Sequence, residues 1–196
     1  SQTGIMTIAA PIANSLQRAS WIRQMFEAGA RLKQQYGADQ VFDFSLGNPI
    51  LEPPAKVHET LHALLDDPAP GHHRYMPNGG FPAVREYLAN ELREEQGLSF
   101  EKEDVVLCVG AGGGLNVVAK ALLELGDEVV ALAPYFVEYG FYVQNHGGVL
   151  TVAGTRQEDF LPDLEALEAV MTPKTRAIIV NSPNNPTGVV YSQAVL

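Results

Sequence analysis

The apolar positions of this chain follow two different spacings. In roughly the first half they recur at the intervals of amphipathic helices, which predicts helices over residues 15–37, 54–67 and 81–97. Ser15 is the expected N-cap of the first helix and Gly37 its expected end, and Gly97 should end the third helix. A short alternating stretch at residues 41–49 predicts a brief strand that breaks at Gly47.

From residue 104 onward, short continuous apolar runs alternate with helix-like segments. The runs predict strands at residues 104–110, 127–134, 148–153 and 177–181. Helices are predicted between them, at residues 113–125, 135–146 and 161–171. This order is typical of an α/β fold, with a mostly parallel sheet covered by helices on both faces. Ligands of such sheets bind beyond the carboxyl ends of the strands, so the loops after Val109, Ala133 and Val180 are the expected site.

Composition narrows the classes of function. The chain has 196 residues and a formal net charge of -10, which argues against nonspecific binding to nucleic acid or to an anionic membrane. A single cysteine, Cys108, excludes an internal disulfide and fits a reducing, cytoplasmic compartment. We expect Cys108 to be buried in its apolar strand. We identify no signal peptide, no membrane span and no spacing of ligands for a metal site.

The first of these loops reads VGAGGGLN, residues 109–116, and is rich in small residues before a helix. The main-chain N–H groups of Ala111 and Gly112 could hold a phosphate there, although a simple tight turn explains the pattern equally well. A dinucleotide fingerprint would need glycine at position 115, where the chain has Leu115.

The other two loops supply rings and an amide. Tyr135, Phe136 or Tyr139 could cover a flat heteroaromatic ligand, and Asn185 could donate a hydrogen bond to a phenolate-type oxygen. Taken singly, the rings could be helix core and the asparagine part of a turn. Taken together with the phosphate loop, they suit a planar, phosphorylated and hydroxylated ring, which describes pyridoxal 5'-phosphate (PLP).

Three further motifs carry a resemblance to a known family. Three segments are similar to blocks of class I/II aminotransferases, the fold-type I PLP enzymes: SLGNP at residues 45–49, YMPNGGFPAVREYLA at residues 75–89 and NSPNNPTG at residues 181–188. The resemblance spans about residues 40–196. It implies an N-terminal helical arm and part of a small domain at residues 1–50, and the first part of the PLP-binding large domain at residues 51–196.

The resemblance also implies roles for individual residues. It places Gly110, Ala111 and Gly112 around the cofactor phosphate, Phe136 on the pyridine ring and Asn185 at the ring oxygen. It also places Tyr75 at the phosphate of a neighbouring subunit in a homodimer. Gly47 and Asn185 would bind the substrate. The implied activity is transfer of an amino group between an amino acid and a 2-oxo acid.

A PLP enzyme needs a lysine that forms a Schiff base with the cofactor. The five lysines of this chain precede strands or lie on helices directed away from the expected site: Lys33, Lys56, Lys102, Lys120 and Lys174. We therefore expect the catalytic lysine beyond Leu196, and residues 1–196 alone to be inactive. Two alternatives stay open, namely another fold-type I reaction, such as a β-lyase or a decarboxylase, and a non-catalytic binding module made from half of the fold.

Overall fold

The structure of the chain is a computed structural model that describes residues 8–44, 47, 51–71 and 73–196, without the side chains of residues 10–11 and 14–23. The chain forms two compact units, Ser1–His72 and His73–Leu196. These units do not test the domain boundary expected near residue 50, which stays a prediction.

The first unit contains helix α1, Ala10–Tyr36, and helix α2, Ala55–Asp66, with a 3-10 turn at Ala38–Gln40. Gly37 ends α1 with a φ of 91°, as predicted. The predicted N-cap at Ser15 is wrong, because the N-cap is Ala9, six residues earlier. A proline follows in the first turn of α1, a residue whose fixed φ suits a helix start. Residues 41–44 form no strand, and the rest of the predicted strand lies outside the described residues, except Gly47.

The second unit opens with helix α3, Pro82–Gln96, and a 3-10 turn at Lys102–Asp104. Gly97 ends α3 in the left-handed conformation, which confirms the predicted stop. The chain then extends over residues 105–109 into helix α4, Gly110–Leu122.

The strand predicted at residues 104–110 is wrong. This segment pairs with no strand within the described part of the chain; the N–H of Leu107 instead donates to the carbonyl of Gly79 (3.0 Å). Cys108 is exposed rather than buried. An apolar run favours extended backbone, but a strand also requires a neighbour for its N–H and C=O groups, and the sequence of the run does not specify that neighbour.

The remaining elements form a parallel α/β sheet in the predicted order. After α4 come strand β1 at Glu128–Leu132, helix α5 at Tyr139–Gln144, strand β2 at Val149–Ala153, helix α6 at Leu164–Val170 and strand β3 at Thr175–Ile179. The strand order is β2-β1-β3, and both pairings are parallel. The predicted mostly parallel sheet with flanking helices is therefore confirmed.

Side chains alternate between the two faces of β1. Val130 and Leu132 pack in a buried cluster with Ala153 and Tyr191, against Leu167 of α6. On the opposite face, Val129 lines a small apolar cavity of about 50 Å³ together with residues of α4 and α5. Helices thus cover both faces, and the central strand supplies four of the ten buried apolar residues in the described part of the chain.

Candidate functional site

The carboxyl ends of β1 and β3 lie side by side. Ala131 pairs with Ile179, one residue before β1 ends and at the last residue of β3. The loop that carries Phe136 therefore leaves the sheet beside the loop that carries Asn185. This shared edge is where open α/β sheets bind ligands.

The first turn of α4 lies at the same edge. Only residues 123–127 separate α4 from the start of β1, so the helix runs antiparallel to the strands and its N-terminus faces their carboxyl ends. A direct contact agrees with this placement: a Cβ built on Gly112 would lie 2.9 Å from the hydroxyl oxygen of Tyr142, in the helix that follows β1. All three predicted loops therefore belong to one side of the second unit.

The backbone at this turn suits an anion. The residue before the helix, Val109, has an aliphatic side chain that forms no capping hydrogen bond. The N–H groups of Ala111 and Gly112 lie in the first turn, where the helix itself provides no acceptor. Gly110 has a φ of +67°, which favours glycine, and a Cβ there would meet nothing within 4 Å. Uncapped amides at a helix start can bind phosphate, so these residues fit the phosphate of PLP.

The aromatic residues divide into core and surface. Tyr139 is buried, and burial raises the pKa of its hydroxyl. Phe136 is half-buried and meets Tyr139 edge to face, with ring centroids 5.8 Å apart at 83°. Tyr135 stacks on Tyr139 at 6.4 Å. The interpretation as helix core therefore holds for Tyr139, whereas Phe136 remains partly accessible.

The loop after β3 contains two asparagines whose side chains stabilise the loop and one whose side chain is exposed. The side-chain oxygen of Asn184, which is buried, accepts hydrogen bonds from the N–H of Thr187 (3.2 Å) and from its hydroxyl (2.9 Å). The side chain of Asn181 accepts from the N–H of Asn185 (2.8 Å). Asn185 itself is exposed, and its side chain forms no hydrogen bond to any described residue. Turn chemistry thus explains Asn181 and Asn184 and leaves the amide of Asn185 available for a ligand.

Two predicted residues belong to other segments of the chain. Tyr75 is fully exposed, seven residues before α3, and Gly47 is an exposed residue of the first unit. Their expected roles, at a neighbouring subunit and at the substrate, stay predictions.

The sequence analysis missed four polar residues around the start of α4. The hydroxyl of Tyr142 donates to the carboxylate of Glu138, and this hydrogen bond raises the pKa of Tyr142. Asn116 donates through Nδ2 to the carbonyl of Gly112 (2.9 Å), and its Oδ1 lies 3.2 Å from Nε2 of His146. Only the four-residue spacing of Glu138 and Tyr142, which places both on one side of a helix, could have indicated the first pair.

The lysines of the second unit lie away from this edge. Lys120 is ten residues after Gly110 on α4, which corresponds to about 15 Å along a helix. Lys174 directly precedes β3, at the amino edge of the sheet, and Lys102 begins the 3-10 turn after α3. This placement supports the expectation that none of the three reaches a ring held at the carboxyl edge.

Known proteins resemble this chain in sequence and in structure. The family model of aminotransferase class I and II matches residues 39–196. The aspartate/prephenate aminotransferase of Thermus thermophilus is 40% identical over 164 residues, which cover 83% of this chain and 42% of that protein. The aspartate aminotransferase of Geobacillus stearothermophilus is 38% identical over 153 residues, covering 78% of this chain and 38% of that protein.

Solved structures of aminotransferases also resemble this chain. An aminotransferase from Eubacterium rectale superposes with a TM-score of 0.91 at 33% identity, covering 97% of this chain and 48% of that one. The structure of the aspartate aminotransferase of Thermus thermophilus with maleate gives a TM-score of 0.76 at 38% identity. The match covers 89% of this chain and 44% of that one.

This chain belongs to the class I and II aminotransferase family, and the predicted family and fold are confirmed. The chain spans less than half of the length of these relatives. Within the described residues, no helix combines the length and the apolar character that crossing a membrane requires.

Proposed function

We propose that this chain forms part of a PLP-dependent aminotransferase that moves an amino group between an amino acid and a 2-oxo acid. The observation that supports the proposal most strongly is the family match over residues 39–196, within which the three candidate loops converge at one edge of the sheet. The family is generally PLP-dependent, and the uncapped first turn of α4 suits the phosphate group.

Each loop would then hold one part of the cofactor. The N–H groups of Ala111 and Gly112, with Gly110 leaving open space beside them, would bind the phosphate. Phe136 would cover one face of the pyridine ring, and the amide of Asn185 would donate to the ring hydroxyl oxygen and approach the substrate carboxylate. Gly47 would offer its backbone to the substrate.

When bound, PLP supplies an electron-withdrawing ring that accepts the electron pair left at the substrate Cα. The residues of this chain would orient that ring and exclude water from one of its faces. None of the described lysines is assigned the covalent role, and the position of the catalytic lysine beyond Leu196 remains a prediction, as does the inactivity of residues 1–196 alone.

Relatives named for aspartate support L-aspartate as the first amino donor to test. The full-length protein, saturated with PLP, should convert L-aspartate and 2-oxoglutarate to oxaloacetate and glutamate in equal amounts. With an S-substituted cysteine as substrate, release of the thiol with ammonia and pyruvate would instead identify a β-lyase. Release of carbon dioxide from an amino acid, leaving the amine, would identify a decarboxylase. PLP binding without turnover of any amino acid would favour a binding module.

We also propose a cytoplasmic homodimer. The single cysteine, exposed and unpaired, fits a reducing compartment. The full exposure of Tyr75 supports its reaching the phosphate site of a second copy.

A further inference from the structure

Beside the first turn of α4 lies a carboxylate that the proposed phosphate site does not need. The hydroxyl of Tyr142 lies against Gly112, where an added Cβ would come within 2.9 Å of it. The same hydroxyl donates its hydrogen to Glu138, which sits at the start of α5 in the loop that carries Phe136. One hydrogen bond therefore separates a negative charge from the proposed anion site.

An unrestrained carboxylate at this place would oppose phosphate binding in two ways. Its charge would repel the phosphate. In addition, a carboxylate is itself a good ligand for the free N–H groups at a helix start, so it could compete for the amides of Ala111 and Gly112. A donor that engages the Glu138 carboxylate would keep it from binding these amides.

We propose that Tyr142 is a positioning residue for the phosphate site: its hydroxyl, seated against Gly112, engages the Glu138 carboxylate and keeps it from binding the amides of Ala111 and Gly112. This inference rests on the proposed function. The interaction with Glu138 raises the pKa of Tyr142, so the hydroxyl keeps the proton that it donates. Glycine at position 112 leaves room for the hydroxyl at the helix backbone.

A purely structural role for Tyr142 would be redundant with a second contact. Asn116 already fixes the first turn through the carbonyl of Gly112 (2.9 Å), and its Oδ1 lies near His146 of the segment after α5 (3.2 Å). Loss of the hydroxyl alone should therefore leave α4 in place and change mainly the electrostatics of the anion site.

The test compares ligands with and without phosphate in the full-length apoprotein. In Tyr142→Phe we expect the affinities for PLP and for inorganic phosphate to fall about tenfold, because the released carboxylate competes for the amides of Ala111 and Gly112. The affinity for pyridoxal, which lacks the phosphate, should not change. Tyr87→Phe, which removes an exposed hydroxyl from α3, is the matched control and should leave all three affinities unchanged.

A double variant separates charge from packing. Adding Glu138→Gln to Tyr142→Phe removes the carboxylate charge and should restore phosphate affinity to nearly that of the unsubstituted protein. Equal weakening of PLP and pyridoxal, or no rescue by Glu138→Gln, overturns the inference while leaving the proposed function intact. If the unsubstituted protein binds neither PLP nor phosphate, the proposed function fails and the inference with it.

A second variant tests the same contact should Tyr142→Phe not fold. Gly112→Ala must displace the hydroxyl, because the new Cβ would lie 2.9 Å from it. We expect the same loss of phosphate affinity and the same rescue by Glu138→Gln, and absence of the rescue overturns the inference.

Discussion

Asp127 follows the turn at residues 125–126, directly precedes β1 and is almost completely buried. Its carboxylate accepts hydrogen bonds from the backbone N–H of Glu124 and from Nε of Arg176, both at 3.0 Å. These two donors, the backbone one first, hold the pKa of Asp127 below its ordinary value of 3.8. Because the folded state lowers this pKa, the ionised carboxylate stabilises the fold above about pH 4 and loses that effect as the pH falls through the lowered value.

Asp127→Asn should therefore lower the melting temperature at pH 7, and the difference from the unsubstituted protein should shrink as the pH falls below about 4. Thermal unfolding between pH 3 and pH 7 measures both effects. Glu59→Gln is the control, since Glu59 pairs with Lys56 at 3.4 Å on an exposed helix surface, where ion pairs contribute little. An Asp127→Asn difference that stays constant over this pH range would contradict the assignment.

Phe136 offers a second test at the scale of one residue. Stacking on an aromatic ring contributes roughly 0.5–1.5 kcal/mol beyond burial, so Phe136→Ala should weaken PLP binding by about tenfold in the full-length protein. Equilibrium titration of the apoprotein with PLP measures the change. Phe141→Ala, which removes an exposed ring from α5, should leave the affinity unchanged. Equal affinities of the Phe136→Ala variant and the unsubstituted protein would make Tyr135 the next candidate.

Individual residues were predictable to different degrees. Asn185 could be selected from the sequence because of its place in the NSPNNPTG motif, but only the structure shows that Asn181 and Asn184 are occupied in building the loop. The contact of Tyr142 with Gly112 joins α5 to α4 across 30 positions of the chain, and no local pattern specifies it.

At the scale of elements, helix α6 is stabilised at its start by Asp163. The side-chain oxygen of this N-cap accepts hydrogen bonds from the N–H groups of Glu165 (3.0 Å) and Ala166 (3.1 Å). Asp163→Ala should lower the free energy of unfolding by about 1 kcal/mol, the usual contribution of a cap. Asp163→Asn keeps an acceptor and should retain most of the stability in urea unfolding. Equal losses in the two variants would argue against capping.

The elements themselves were largely predictable, because burial of a strand and of a helix face leaves different spacings of apolar residues. β1 and β2 lie within the predicted runs, β3 begins and ends two residues before its predicted run, and α3 ends where Gly97 indicates. The failure at residues 104–110 has a physical cause: strand formation depends on a neighbouring strand that the run itself does not encode.

At the scale of the whole molecule, we predict a homodimer in which Tyr75 contributes to the phosphate site of the second copy. Sedimentation of the full-length protein with PLP should give twice the monomer mass. Tyr75→Phe should weaken PLP binding without changing that mass, since the exposed hydroxyl would contact the ligand and not hold the subunits together. A PLP-bound monomer would contradict the prediction.

The most direct test of the proposed site is a crystal structure of the full-length protein with PLP. We predict phosphate oxygens about 3 Å from the backbone nitrogens of Ala111 and Gly112, at hydrogen-bond distance. Phe136 should lie parallel to the pyridine ring, and Asn185 within hydrogen-bond distance of the ring hydroxyl oxygen. A cofactor phosphate bound elsewhere, with the first turn of α4 empty, would contradict the account.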